Sequence, residues 1–251
     1  MAKLLSLSAL TLALNGCVIH VNAQSADVSL EEELSLEANA LERFDIEAGA
    51  GSLIIKGDET ASGIQVKADI RTTDAKDYTL VLTRSGSTAT LVAKHHSHMG
   101  YWNGSSPKID LTITMPANLK LDIDDGSGEI KISNINNGLR LEDGSGSAKI
   151  ENVKGNVRID DGSGELVVKS VQGDVDLKDG SGGLRVSNIS GDLDIDDGSG
   201  SLTVMDVTGQ VTIDDGSGSI DVNRAGALKI IESGSGGLSF SDIKGDVDVD
   251  S

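Results

Sequence analysis

Six aspartates stand 18 residues apart: Asp125, Asp143, Asp161, Asp179, Asp197 and Asp215, each followed by Gly-Ser-Gly. A seventh turn, Ser233-Gly234-Ser235-Gly236, keeps the step with Ser in place of Asp. One place before each turn run Asp124, Glu142, Asp160, Asp196, Asp214 and Glu232, broken by Lys178. Carboxylates stacked at strand spacing lie about 5 Å apart and repel by about 1 kcal/mol per pair in water, more near a surface. Two chemistries could offset that. Asp before Gly accepts hydrogen bonds from the N–H groups of its own turn. Alternatively, a row of Ca²⁺ ions takes the carboxylate oxygens, since hard cations gather several such ligands. The turn is not an EF-hand loop, because Leu121 and Ile123 stand where that loop needs acids. Nor is it the glycine-rich nonapeptide of Ca²⁺-binding β-rolls.

A second cluster is His95, His96 and His98, followed by Met99, Tyr101 and Trp102 in a polar loop over residues 94–108. Three imidazoles within four residues could bind Zn²⁺ or Cu²⁺. No Cys or acid stands near them, and His95 and His96 point apart if the segment is extended, so an exposed loop is the plainer reading. Tyr101 and Trp102 read either as a contact surface for sugar or protein or as a cover for the top of the stack. The turn serines, Ser127 to Ser235, have no nearby His to act as base, so they are not nucleophiles and are expected to hydrogen-bond along the stack. No phosphate loop, dinucleotide fingerprint or zinc-hydrolase motif is present.

The 18-residue step defines the elements that position these groups. Counted from the first turn glycine, apolar residues sit five and three places before it and four, six and nine after it. Around Gly162 these are Val157, Ile159, Leu166, Val168 and Val171. Alternation with period two predicts a strand, a Gly-Ser-Gly turn, a second strand and a second turn. The second turn holds Gly155, Gly173, Gly191, Gly209 and Gly245, expected there for positive φ, with Asn137 in that slot of the first repeat. One coil cannot bury its apolar side chains alone, whereas stacked coils can. The expected fold is all-β: a β-solenoid (β-helix) of 18-residue coils, seven of them making a rod of about 34 Å. Aromatic residues are 2% of the chain, which suits a narrow Val, Ile and Leu interior. Gly226 comes one place early and residues 228–231 run one residue long, which predicts a bulge with a shortened turn.

The chain opens with Lys3 and an apolar run, Leu4 to Leu14, the length of a signal-peptide core and too short to span a membrane. Two cleavage readings stay open. Leu14-Asn15-Gly16-Cys17 resembles a lipoprotein box, with Cys17 as the lipidated first residue and Asn15 unusual at its place; the following Val18 favours the outer membrane. Val21-Asn22-Ala23 offers ordinary cleavage after Ala23. Cys17 is the only cysteine, so no intrachain disulfide can form. Residues 1–23 are thus the expected signal peptide and 24–40 an acidic linker or first strand. An irregular N-terminal β region then covers 41–118 and the regular coils 119–251. Residues Phe44 to Ile55 lay onto Leu121 to Ile132 as a degenerate coil, with Gly49 on Gly126, Gly51 on Gly128 and Leu53 on Ile130. Strands are predicted over 64–70, 78–84, 88–94 and 109–115, forming a β section that caps the first edge of the rod. At the other end, Val247 to Ser251 reads as the first strand of a further coil, its edge guarded by charge or open to a partner strand.

An Ile-Asp-Leu-Thr-Ile-Thr-Met-Pro strand leading into repeated Gly-Ser-Gly turns behind a secretion signal resembles the bacterial putative-adhesin family of β-strand-repeat proteins. The likeness covers about residues 44–251. It implies the solenoid fold and brings no catalytic residues, and most members are of unknown function. The formal charge of −19 argues against nucleic acid and anionic lipid. Two functions are carried forward. One is a non-catalytic, exported cell-envelope module for adhesion or structure, at the outer membrane through Cys17 or in the periplasm or on the cell surface. Its partner would be a protein or glycan there, and its only membrane contact a lipid anchor. The other is a ligand- or metal-binding envelope protein using the aspartate row (Ca²⁺) or the 94–108 loop; apart from such a Ca²⁺, no cofactor is expected.

Overall fold

The computed structural model describes residues 25–96 and 104–250. Cys17, both cleavage sites, His98, Tyr101 and Trp102 lie outside them. The chain begins with β1 (Val28–Glu37), β2 (Arg43–Ala50), β3 (Leu53–Asp58), β4 (Gly63–Thr72), β5 (Tyr78–Ser85), β6 (Thr88–His95) and β7 (Lys108–Pro116). The regular part follows with β8 (Lys120–Ile135), β9 (Leu139–Asp143), β10 (Gly146–Lys154), β11 (Val157–Asp161), β12 (Gly164–Gln172) and β13 (Val175–Asp179). It continues through β14 (Gly182–Ile189), β15 (Leu193–Asp197), β16 (Gly200–Asp215), β17 (Gly218–Glu232), β18 (Leu238–Ile243) and β19 (Val247–Val249). Among the described residues no helix is long and apolar enough to cross a membrane.

The architecture is a β-solenoid. Every regular strand pairs in parallel with its equivalent in the next coil: Val157 with Val175, Ile159 with Leu177, Leu166 with Leu184, Val168 with Val186. Each side chain therefore stacks on its own counterpart. That is why the period must be kept residue for residue, since a slip of one would turn a strand's apolar set outward. The five apolar positions of the coil around Gly162 are all 2% exposed or less. The irregular coil behaves as its sequence predicts. Between Val207/Ala225 and Gln210/Ala227 the later coil is one residue short, and between Ile213/Ile230 and Asp214/Glu232 one residue long, so register is restored.

The N-terminal strands extend both faces of the rod. β2 pairs in parallel with the first half of β8, placing Phe44 on Leu121 and Ile46 on Ile123, and β3 with its second half, placing Leu53 on Ile130. The degenerate coil is thus a real layer of the stack. It is not the outermost one, because β6 and β7 stack on its far side in parallel with β2 and β3. Antiparallel strands then close that end: β5 on β6, β4 on β7, and β1 on β4. The stretch expected as linker or first strand contains β1, whose ten residues all pair with β4. At the opposite end β18 and β19 pair only with β17 among the described residues, and Phe240, Val247 and Val249, at inward positions of the grid, are exposed.

The role of the glycines differs from the expectation. Of the second-turn glycines, Gly155 alone has positive φ, and in the first repeat Gly138 rather than Asn137 adopts it. Gly173 is there for space: a Cβ on it would stand 2.5 Å from the Gly155 carbonyl oxygen. At Gly164 both reasons apply, with φ +140 and a would-be Cβ 1.5 Å from the Gly146 oxygen. Only glycine allows successive turns to stack this closely.

Candidate functional site

The six aspartates face the interior. In each first strand the alternation that buries Val157 and Ile159 buries Asp161 next, and the six are 1–4% exposed. The charged row one place earlier points outward. The signal was in the sequence, since Asp occupies the third position of an inward period-two run.

From Asp143 to Asp215 each carboxylate closes its own turn. The backbone N–H of Ser145 donates to Asp143 Oδ1 at 3.2 Å, Ser163 to Asp161 at 3.2 Å, Ser199 to Asp197 at 3.0 Å and Ser217 to Asp215 at 3.1 Å. The coils are joined here by backbone: Gly162 N–H donates to the Asp143 carbonyl at 2.8 Å and Gly146 N–H to the Ser163 carbonyl at 2.9 Å. The serines thus contribute to the stack through their main chain. Oδ2 of all six aspartates is buried with no hydrogen-bond partner. Burial, reinforced by the neighbouring Asp143 and Asp124 charges, pushes the Asp125 carboxyl up to about 7. Burial first and adjacent aspartates second push Asp143 and Asp179 to about 6, and the other three are raised for the same leading reason. The column therefore favours protons. A cation between successive carboxylates would find few oxygens where Ca²⁺ takes six to eight. Among the described residues no group of three or more His, Cys, Asp or Glu is placed to hold a metal.

Of the described histidines, His95 is the last residue of β6 and His96 follows it, in the N-terminal part of the fold. His95 Nδ1–H donates to the Asp77 carbonyl at 3.3 Å, and its ring meets that of Tyr78 edge-on at 6.3 Å. His96 Nε2 lies 3.1 Å from Thr79 Oγ1, and its Nδ1 3.8 Å from the Asp77 carboxylate. Both rings thus turn toward Asp77. The Tyr78 hydroxyl donates to Glu32, which pushes the phenol up to about 12.

One feature was missed entirely in the sequence. Asn134, Asn152, Ser170, Asn188, Asp206, Arg224 and Asp242, on the same 18-residue grid, all have φ between +56 and +61. Each is skipped in the ladder on both neighbouring strands without a change of register: Glu151 pairs with Lys169 and Val153 with Val171, while Asn152 and Ser170 between them do not pair. The signal was the step of three, not two, between the apolar positions six and nine places after the turn, with Asn or Asp often between. These residue types tolerate left-handed backbone best. A groove of about 570 Å³ is lined by four members of this column, Asn134, Asn152, Ser170 and Asn188.

Stacked parallel coils with closed glycine turns define the class as a β-solenoid. The particular family follows from the residues matched: the Toastrack DUF4097 model fits residues 42–250, and the chain belongs to that family. Solved structures similar to it include a putative cell adhesion protein from Clostridium sporogenes, 11% identical over 88% of this chain and 100% of that one, with a TM-score of 0.37. A putative adhesin from Bacteroides fragilis is 16% identical over 90% of this chain and 99% of that one, with a TM-score of 0.38. No curated protein matches the chain.

Proposed function

We propose that this protein is a non-catalytic module of the cell envelope, an acidic β-rod that presents repeated surfaces for adhesion or scaffolding. The observation that carries this reading is the closure of the repeat. All 18 residues of a regular coil are used by two strands and two tight turns, and no insertion rises from the described coils to build a cleft. None of the described histidines stands beside the serine column, since they lie in the N-terminal part of the fold. The apolar run before Cys17 supports export, with the lipid on Cys17 as the tether to the outer membrane. Protease treatment of intact cells tests the reading: digestion of the native protein supports it, and a protein found only in the cytosol overturns it. Mass spectrometry of the same material should find an acylated Cys17, whereas an unmodified N-terminus at Gln24 removes the anchor from the proposal.

A second reading, internal cation binding, is favoured by the six unpartnered Oδ2 atoms. A melt with EDTA and with millimolar Ca²⁺ separates the two, because a ligand that binds only the folded state raises the midpoint. A rise specific to Ca²⁺ over Mg²⁺ would assign ions to the column. An unchanged midpoint leaves it to protons.

A further inference from the structure

The groove beside the left-handed column lies outside everything assigned above. Its floor is Val153 and Val171, and one wall is the column Asn134, Asn152, Ser170 and Asn188. Lys56, Asp58 and Glu59, from the end of β3 and the turn after it, together with Lys154 and Gln172 complete the lining. The lining is organised. Asn152 Nδ2 donates to Asn134 Oδ1 at 3.2 Å, Asn136 Nδ2 to Glu59 Oε1 at 3.0 Å, and Lys154 Nζ lies 3.7 Å from the same Glu59 oxygen. Left-handed backbone at a non-glycine residue costs of the order of 1 kcal/mol, and here it recurs in every coil that borders the groove.

Charge narrows the ligand. The whole chain carries −19, yet the groove's two lysines balance its Asp and Glu. An anionic polymer would be repelled by the rod, and a cationic one would find far stronger sites on the outward acidic row. A lipid or apolar peptide would find only two valines. Amides and hydroxyls, which both donate and accept, match sugar hydroxyls, which do the same. Amides at Asn134, Asn152 and Asn188 and a hydroxyl at Ser170 recur on successive coils about 4.8 Å apart, so a repeating polymer meets a repeating polar wall.

We propose that the groove along Asn134, Asn152, Ser170 and Asn188 binds an uncharged polysaccharide lying parallel to the rod. The proposal deepens the envelope reading and rests on it for where such a polymer is met, but the two fail separately. The test is titration calorimetry of the purified full-length protein with neutral gluco-, xylo- and galacto-oligosaccharides of increasing length, and with an anionic uronic-acid polymer. Binding of a neutral series, tightening with length until the groove is filled, is expected. Asn152→Gly with Asn188→Gly keeps the backbone conformation and removes two amides, and should weaken binding about tenfold or more. Asn152→Asp with Asn188→Asp keeps the shape and adds charge, and should weaken it at least as much, with the melting midpoint close to that of the parent. No binding of any neutral series, equal binding of the anionic polymer, or full affinity in both folded variants would overturn the groove assignment. None of these outcomes bears on whether the protein is found at the cell surface, which protease treatment reads independently.

Discussion

The two corners of each coil carry the same side-chain oxygens turned opposite ways. At the Gly-Ser-Gly corner the aspartate points inward, closes its own turn through Oδ1, and leaves the joining of coils to backbone bonds. At the other corner Asn156, Asp174 and Asp192 stay exposed, and each side-chain oxygen accepts the N–H of the next coil. Asp174 N–H donates to Asn156 at 3.1 Å, Asp192 N–H to Asp174 at 3.1 Å, and Gln210 N–H to Asp192 at 2.8 Å. The outer oxygens therefore stitch coils together while keeping their hydration. The inner ones give up water without gaining a partner for Oδ2, so their charge is penalised.

The largest effect is expected where the inner corner is most crowded. Gly164→Ala would drive a Cβ to 1.5 Å from a backbone oxygen at a φ of +140, so a loss of more than about 4 kcal/mol, or no folded protein, should appear in denaturant titration. Gly237→Ala has nothing within 4 Å of the new Cβ and should change stability by less than about 0.5 kcal/mol. Comparable losses in both would mean that close stacking of the turns is not what fixes glycine there.

Next in size is the titration of the column. Raised carboxyls mean that the folded state holds protons the unfolded chain has already released, so their contribution is full below about pH 4 and is lost as pH rises through about 6 to 7. Relief of general acidic repulsion on acidification has the same sign, so the neutral isostere is the control. Asp125→Asn with Asp143→Asn and Asp179→Asn should be more stable than the parent at pH 8 and should show a flatter stability profile between pH 4 and 8. An unchanged profile would show that these carboxyls do not titrate in that range and would return the column to cations.

How much of this was legible follows from which rules are local. The coil, its five buried positions and the cancelling irregularity near Gly226 could be read directly, because parallel stacking turns one period into one register. The match of Phe44–Ile55 to Leu121–Ile132 gave the true pairing for the same reason. What escaped were consequences of parity and of three-dimensional order. The inward aspartates needed the alternation carried one step into a charged residue, against the expectation that carboxylates face water. The left-handed column needed a step of three to be taken as a left-handed residue between two strand segments. The interleaving of β2–β3 between β6–β7 and β8 leaves no trace in a sequence read in order, since either order buries the same apolar residues.

The smallest effect belongs to the outer corner, and it tests the contrast most finely. Asp192→Ala removes the acceptor for Gln210 N–H in an exposed site where water can replace it, so the expected loss is about 1 kcal/mol or less. Asp192→Asn should cost almost nothing, because Asn156 already performs the same task two coils along the column. The inner column should respond in reverse, with Asn at Asp161 more stable than Asp at pH 8 and Ala less stable than either, since the Ser163 N–H then loses its acceptor in the interior. If Asn at Asp192 proved as stabilising as Asn at Asp161, the difference between the corners would lie in overall acidity. If only the inner change stabilised, the difference would lie in burial, as the positions of the two oxygens require.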